Sequence, residues 1–208
     1  MRTERGLDRF VTFLDAVVAI AITLLVLPLT ELLRDIKPGD SLGSVLSGEG
    51  GQFFAFLLSF AVIARFWLVH HRIVERVGTY DTPFLLVNLL WILTIVVLPF
   101  STQVVGTLPP EPLAVLLYIG TITVSSGCLT GIAVLVWRRP ALRRRPDESA
   151  PAPWASLAST GILVVALLIG TFVRSVNYGA MLLLLLTGPV EALLSRSRST
   201  VRAESPAG

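Results

Sequence analysis

Six apolar runs, each close to the ~20 residues that a helix needs to cross hydrocarbon, occupy residues 9–30, 51–74, 82–106, 111–137, 154–174 and 177–194. With no water in a bilayer core, a run of that kind must satisfy its own backbone as a helix. The pattern therefore predicts an all-α polytopic membrane protein with six transmembrane helices. Composition points the same way: 53% of residues are hydrophobic and only 15% charged, and the mean hydropathy is +0.76. Polar or Pro/Gly-rich breaks separate the runs, and only the first and fourth connections are long. Residues 1–195 read as one six-helix transmembrane domain, and 196–208 as a cytoplasmic tail too polar and aperiodic to fold. No small-residue cleavage site follows the first run, so that run is expected to stay in the protein as a helix.

Charge sets the expected orientation. Thirteen of the seventeen Lys and Arg residues fall on the side shared by the N-terminus, the second and fourth connections and the tail, and three on the other side. The positive-inside rule then predicts that both termini are cytoplasmic. The arginines cluster at helix ends with no interleaved aromatic, a pattern of topology and lipid contact, so no nucleic-acid partner is expected. Cys128 is the single cysteine, which excludes an intrachain disulfide and any metal site built on paired cysteines. No metal and no cofactor are expected. There is no TVGYG-like filter, no P-loop and no Gly-rich dinucleotide turn. No nucleophile and base stand at a readable spacing, so an enzyme is not predicted.

The first run carries one acid, Asp15, about two turns inside the hydrocarbon level. A carboxylate there must pair or serve an ion path. The second run crosses in the opposite sense, and equal distances from the boundary put Asp15 and Arg65 at one level, roughly 10 Å deep. His70 and His71 lie nearer the boundary, and His71 shares a helix face with Trp67 four residues before it. Two readings follow: the groups neutralise one another and lock the first helix to the second, or Asp15 and the histidines form a proton or ion relay. A metal site lacks a third ligand at recognisable spacing.

The first helix has a second face. At 100° per residue, Ile20, Thr23, Leu24 and Leu27 fall within about 100° of arc, and Asp15 lies roughly 140° from Ile20. By periodicity alone, such a stripe is lipid or bundle contact; several copies around an axis would instead make a narrow apolar constriction.

Helix 1 is similar to the signature of the transmembrane protein 175 family of potassium channels, R-x-x-x-F-S-D followed by a small, apolar run ending in T-L-L-V-L. Here Arg9, Phe13 and Asp15 precede AVVAIAITLLVL. Further matches are Ser59, Phe60, Trp67, His70 and His71 in an S-F…W-x-x-H-H pattern, Asn88 and Leu89, and Leu98 to Phe100. The resemblance is close over the first three helices and extends to the last three only in length and hydropathy. It implies the prokaryotic six-helix, single-repeat form in a cell membrane, a homotetramer with helix 1 around a potassium pore, and Ile20 as the constriction with Thr23, Leu24 and Leu27 beside it. It also implies a packing network of Arg9, Asp15, Trp67 and His71, with Asn88 as a further member. Leu14 stands where the signature has serine, and Arg65 occupies a position expected to be small or apolar, where it is a replacement partner for the network.

The expected function is a potassium-permeable leak channel without a carbonyl filter, gated and made selective by the helix 1 constriction. The alternative is a proton-coupled transporter or proton pathway through Asp15, His70 and His71. A third class is a non-conducting membrane protein that recruits lipid or a partner through Arg138 to Arg145, a run whose plainer reading is a solvated topogenic loop.

Overall fold

The computed structural model describes residues 4–32, 41, 43, 48–108, 111–147 and 150–172. Among these, the helices are α1 (Glu4–Leu24), α2 (Leu27–Glu31), α3 (Gly50–Val74), α4 (Thr82–Thr107), α5 (Pro112–Arg138) and α6 (Trp154–Phe172). Among the described residues, five spans are long and apolar enough to cross a membrane, α1 and α2 together forming the first. The predicted sixth span, 177–194, and the tail 196–208 lie outside the described residues.

The first span was expected to be one helix from residue 9 to 30. It starts earlier, at Glu4, and breaks at Leu25 and Val26. Pro28 explains the break: it has no N–H for the Leu24 carbonyl, and its ring crowds that carbonyl. The chain turns instead through Val26 N to Thr23 O at 3.2 Å, and α2 restarts with Leu29 N on Val26 O at 3.1 Å.

Helix α5 packs most extensively, against α4 on one side and α6 on the other, while α1 lies against α3 and α4. Hydroxyls knit these contacts where a polar side chain in lipid must find a partner. Ser59 Oγ of α3 lies 2.9 Å from the Tyr118 hydroxyl of α5 and 2.8 Å from Thr102 Oγ1 of α4, and Thr102 Oγ1 lies 2.7 Å from the Leu98 carbonyl. One proton order satisfies all three contacts: Tyr118 donates to Ser59, Ser59 to Thr102, and Thr102 to the backbone. A second seam joins α5 to α6, where Thr160 Oγ1 lies 2.8 Å from Ser126 Oγ and 2.9 Å from Thr130 Oγ1.

Arg138, Arg139, Arg144 and Arg145 are exposed, as the plainer reading expects, yet the backbone of the run is docked. Gly78 N donates to Leu142 O at 2.9 Å and Arg144 N to Arg76 O at 2.8 Å, around an antiparallel bridge of Val77 with Arg143. Arg139 pairs with Asp81, which also accepts from Phe84 N at 2.9 Å as the N-cap of α4. Arg143 turns back to donate to the Val136 carbonyl at 2.9 Å and to the Trp137 carbonyl, two of the acceptors that the end of α5 leaves open. The α3–α4 and α5–α6 connections are thus one docked unit. A Cβ on Gly78 would sit 2.8 Å from Arg144 Cα, a backbone atom that cannot swing away. Gly78→Ala is therefore expected to lower stability by about 1–3 kcal/mol, read as a fall in thermal midpoint in detergent; an unchanged midpoint would mean that the two connections do not dock.

Candidate functional site

Helix α1 is two-faced by sequence. Leu7, Leu14, Val18, Ala21 and Leu25 recur at three-, four- and seven-residue spacings and are buried against the bundle. Leu14 is fully buried, so the position that holds serine in the family signature is filled here by an apolar core contact. On the opposite side, Ile20 is 59% exposed, Leu24 40% and Leu27 52%, and Thr23 is exposed with them. The Thr23 hydroxyl donates to the Ile20 carbonyl at 2.8 Å, which leaves its oxygen free to accept. The stripe read from periodicity is therefore an open face of the single chain, turned away from the core.

Asp15 sits at the flank of the buried face. Trp67 Nε1 donates to its Oδ1 at 2.9 Å, joining α3 to α1. His71 stacks on Trp67 with ring centroids 5.4 Å apart and reaches Glu75, one further turn along, at 3.3 Å. This spacing of 67, 71 and 75 is the i, i+4 row of one helix face.

His70 belongs to a different cluster. It is buried with Nε2 2.7 Å from Asn88 Oδ1, and its ring stacks on Trp91 with centroids 4.1 Å apart and planes 10° apart. Asn88 in turn donates to the Phe84 carbonyl at 2.8 Å. Trp91 was missed in the sequence, although its place three residues after Asn88 puts it on the same face of α4.

Two expected members stand elsewhere. Arg9 is exposed, and it lies eleven residues, three full turns, before Ile20, so it shares the open face of α1 instead of the Asp15 flank. Arg65 is two residues from Trp67, about 200° around α3, and it lines cavities with Ser156 of α6 and with Thr130 and Val136 of α5. The single level of acid, guanidinium and two imidazoles expected from depth alone is resolved by rotation into three separate faces. Among the described residues no group of three His, Cys, Asp or Glu side chains converges on a point that a metal could occupy.

The model of the family described as endosomal/lysosomal potassium channel TMEM175 matches residues 9–99. A potassium channel of Chamaesiphon minutus is 33% identical over 147 residues, 69% of this chain and 70% of that protein. A potassium channel of Streptomyces collinus is 33% identical over 98 residues, 47% of each chain. The mouse endosomal/lysosomal proton channel TMEM175 is 29% identical over 121 residues, 56% of this chain; the present chain spans only about a quarter (24%) of that relative's length. The fold is that of a crystal structure described as a lysosomal potassium-selective channel TMEM175 homolog from Chamaesiphon minutus, with a TM-score of 0.70 at 24% identity, covering 90% of this chain and 98% of that one. The family match within residues 9–99 and the 33% identity to a Chamaesiphon minutus channel covered to 70% give one assignment: this chain belongs to the TMEM175 family of ion channels, and it is not an enzyme.

Proposed function

We propose that the chain is a potassium-permeable leak channel without a carbonyl filter, in which Ile20 forms the constriction and Thr23, Leu24 and Leu27 line the path beside it. The observation that carries this reading is the exposed stripe on α1 opposite a fully packed face. A pore needs several copies, and a homotetramer with four α1 helices around the axis gives that stripe its burial. The prokaryotic relatives named as potassium channels support the choice of ion. Potassium gives up hydration water more cheaply than sodium, so an apolar ring favours it, and the Thr23 lone pairs replace part of the lost water. The arginine-rich end faces the cytoplasm of a prokaryotic cell, with both termini on that side.

Transport through Asp15, His70 and His71 fits the geometry less well. Between Asp15 and His71 stands the Trp67 indole, which donates a hydrogen bond but has no lone pair to accept a proton. His70 is enclosed by Asn88 and Trp91. Because the mammalian relatives are named proton channels, proton passage belongs in the same test. In planar bilayers with potassium on one side and sodium on the other, the reversal potential is expected to move toward the potassium equilibrium value with resolvable single-channel steps. Saturable flux that requires an opposing proton gradient, or no current at all, would sink the channel reading.

A further inference from the structure

At the arginine-rich end of the bundle, a groove of about 480 Å³ opens between α3, the end of α5 and the segment that leads into α6. Arg65 and Arg72 of α3 and Arg76 of the turn that follows it line it. The seven-residue spacing of Arg65 and Arg72 places these two on one face of the helix, about 10 Å apart. Ala155 and Ser156 of α6 line it as well, and the first intrahelical bond there is Leu157 N to Pro153 O. The amides of residues 154–156 therefore precede the hydrogen-bond ladder, and the positive end of the α6 dipole lies at the groove. Among the described residues, no carboxylate lines it.

The deeper walls are apolar. Leu68, Val69 and Ala133 contribute to them, with Arg65 below, about 10 Å further from the helix end than Arg72. Trp137 and Trp154, 38% and 56% exposed, stand at the helix ends on this side, where amphipathic rings mark the edge of a bilayer. Guanidinium groups above an apolar wall suit a phosphodiester attached to hydrocarbon. A soluble anion would satisfy the arginines and leave the wall without a partner.

We propose that this groove binds an anionic glycerophospholipid, its phosphodiester held by Arg72 and Arg76 with the α6 amides, and its acyl chain along Leu68, Val69 and Ala133.

Native mass spectrometry of the detergent-released, assembled protein tests this, using phosphatidylglycerol and phosphatidylcholine of identical acyl chains. Phosphatidylglycerol is expected to bind about tenfold more tightly, and the preference is expected to vanish in Arg72→Gln/Arg76→Gln. Arg5→Gln/Arg9→Gln, which removes the same charge from another helix, should keep it. If the first double variant does not give a monodisperse peak, Arg72→Gln alone should reduce the preference about threefold. Equal loss in both double variants would show diffuse electrostatics and overturn the proposal, as would a preference that survives loss of Arg72 and Arg76. Displacement of the lipid by an equal concentration of glycerol phosphate would make the ligand a soluble phosphate and overturn the lipid assignment. None of these readouts involves ion flux, so the proposal stands or falls separately from the channel reading.

Discussion

Replacing Ile20 with Asn is expected to raise sodium permeability relative to potassium by about fivefold in reconstituted bilayers. An ion at an isoleucine ring must shed water with nothing in exchange, and the sodium ion, holding its water more tightly, is penalised more. An amide oxygen from each copy restores part of the lost coordination. A net hydrogen bond is worth about 1 kcal/mol, which sets the scale of the change. The measurement is the reversal potential under bi-ionic potassium and sodium. Leu57→Asn on the exposed surface of α3, where Leu57 is 62% exposed, serves as the comparison, because it adds the same amide away from the proposed path. If Ile20→Asn leaves the reversal potential unchanged, or Leu57→Asn shifts it equally, Ile20 is not the constriction.

That Ile20, Thr23, Leu24 and Leu27 share one side of the helix, away from Asp15, was legible in the sequence because it needs only helical periodicity; periodicity alone left lipid and bundle contact both open. The break at Leu25 and Val26 was equally available: Pro28 forbids the Leu24 carbonyl its partner, yet hydropathy runs through a proline without a signal. The place of Arg9 is also contained in the sequence, since eleven residues bring a helix back to the same face. Arg65 matches Asp15 in depth, but two residues along α3 rotate it away from the Trp67 face, toward α5 and α6.

Other features were beyond a single sequence. The docking of Gly78 against Arg144 and the capping of α5 by Arg143 depend on two connections meeting in space. Neither loop contains a signal of the other. The same holds for Ser59, Thr102 and Tyr118, each an ordinary helix residue until three helices are assembled. Arginines that count only toward orientation in a sequence thus divide in the structure into docked ones at 139 and 143 and groove-lining ones at 72 and 76.

The acid inside the membrane gives the second large effect. Asp15→Ala is expected to destabilise the folded protein by about 2–3 kcal/mol, because it removes the acceptor of a charge-assisted bond and leaves the Trp67 N–H without its partner. Trp67→Phe acts from the other side. It keeps the stacking area against His71 but strands a carboxylate at membrane depth, so it should cost at least as much. In the double variant Asp15→Ala/Trp67→Phe neither polar group is left behind, and the loss should be smaller than the sum of the two single losses by about 1–2 kcal/mol. Unfolding in detergent, followed by the assembled fraction on size exclusion, measures all four proteins of the cycle. Additive losses would show that the hydrogen bond between α1 and α3 contributes nothing to stability. An Asp15→Ala protein that assembles normally but loses its ion flux or its response to pH would instead return Asp15 to the ion path, since a structural anchor moves stability first and permeation only through it.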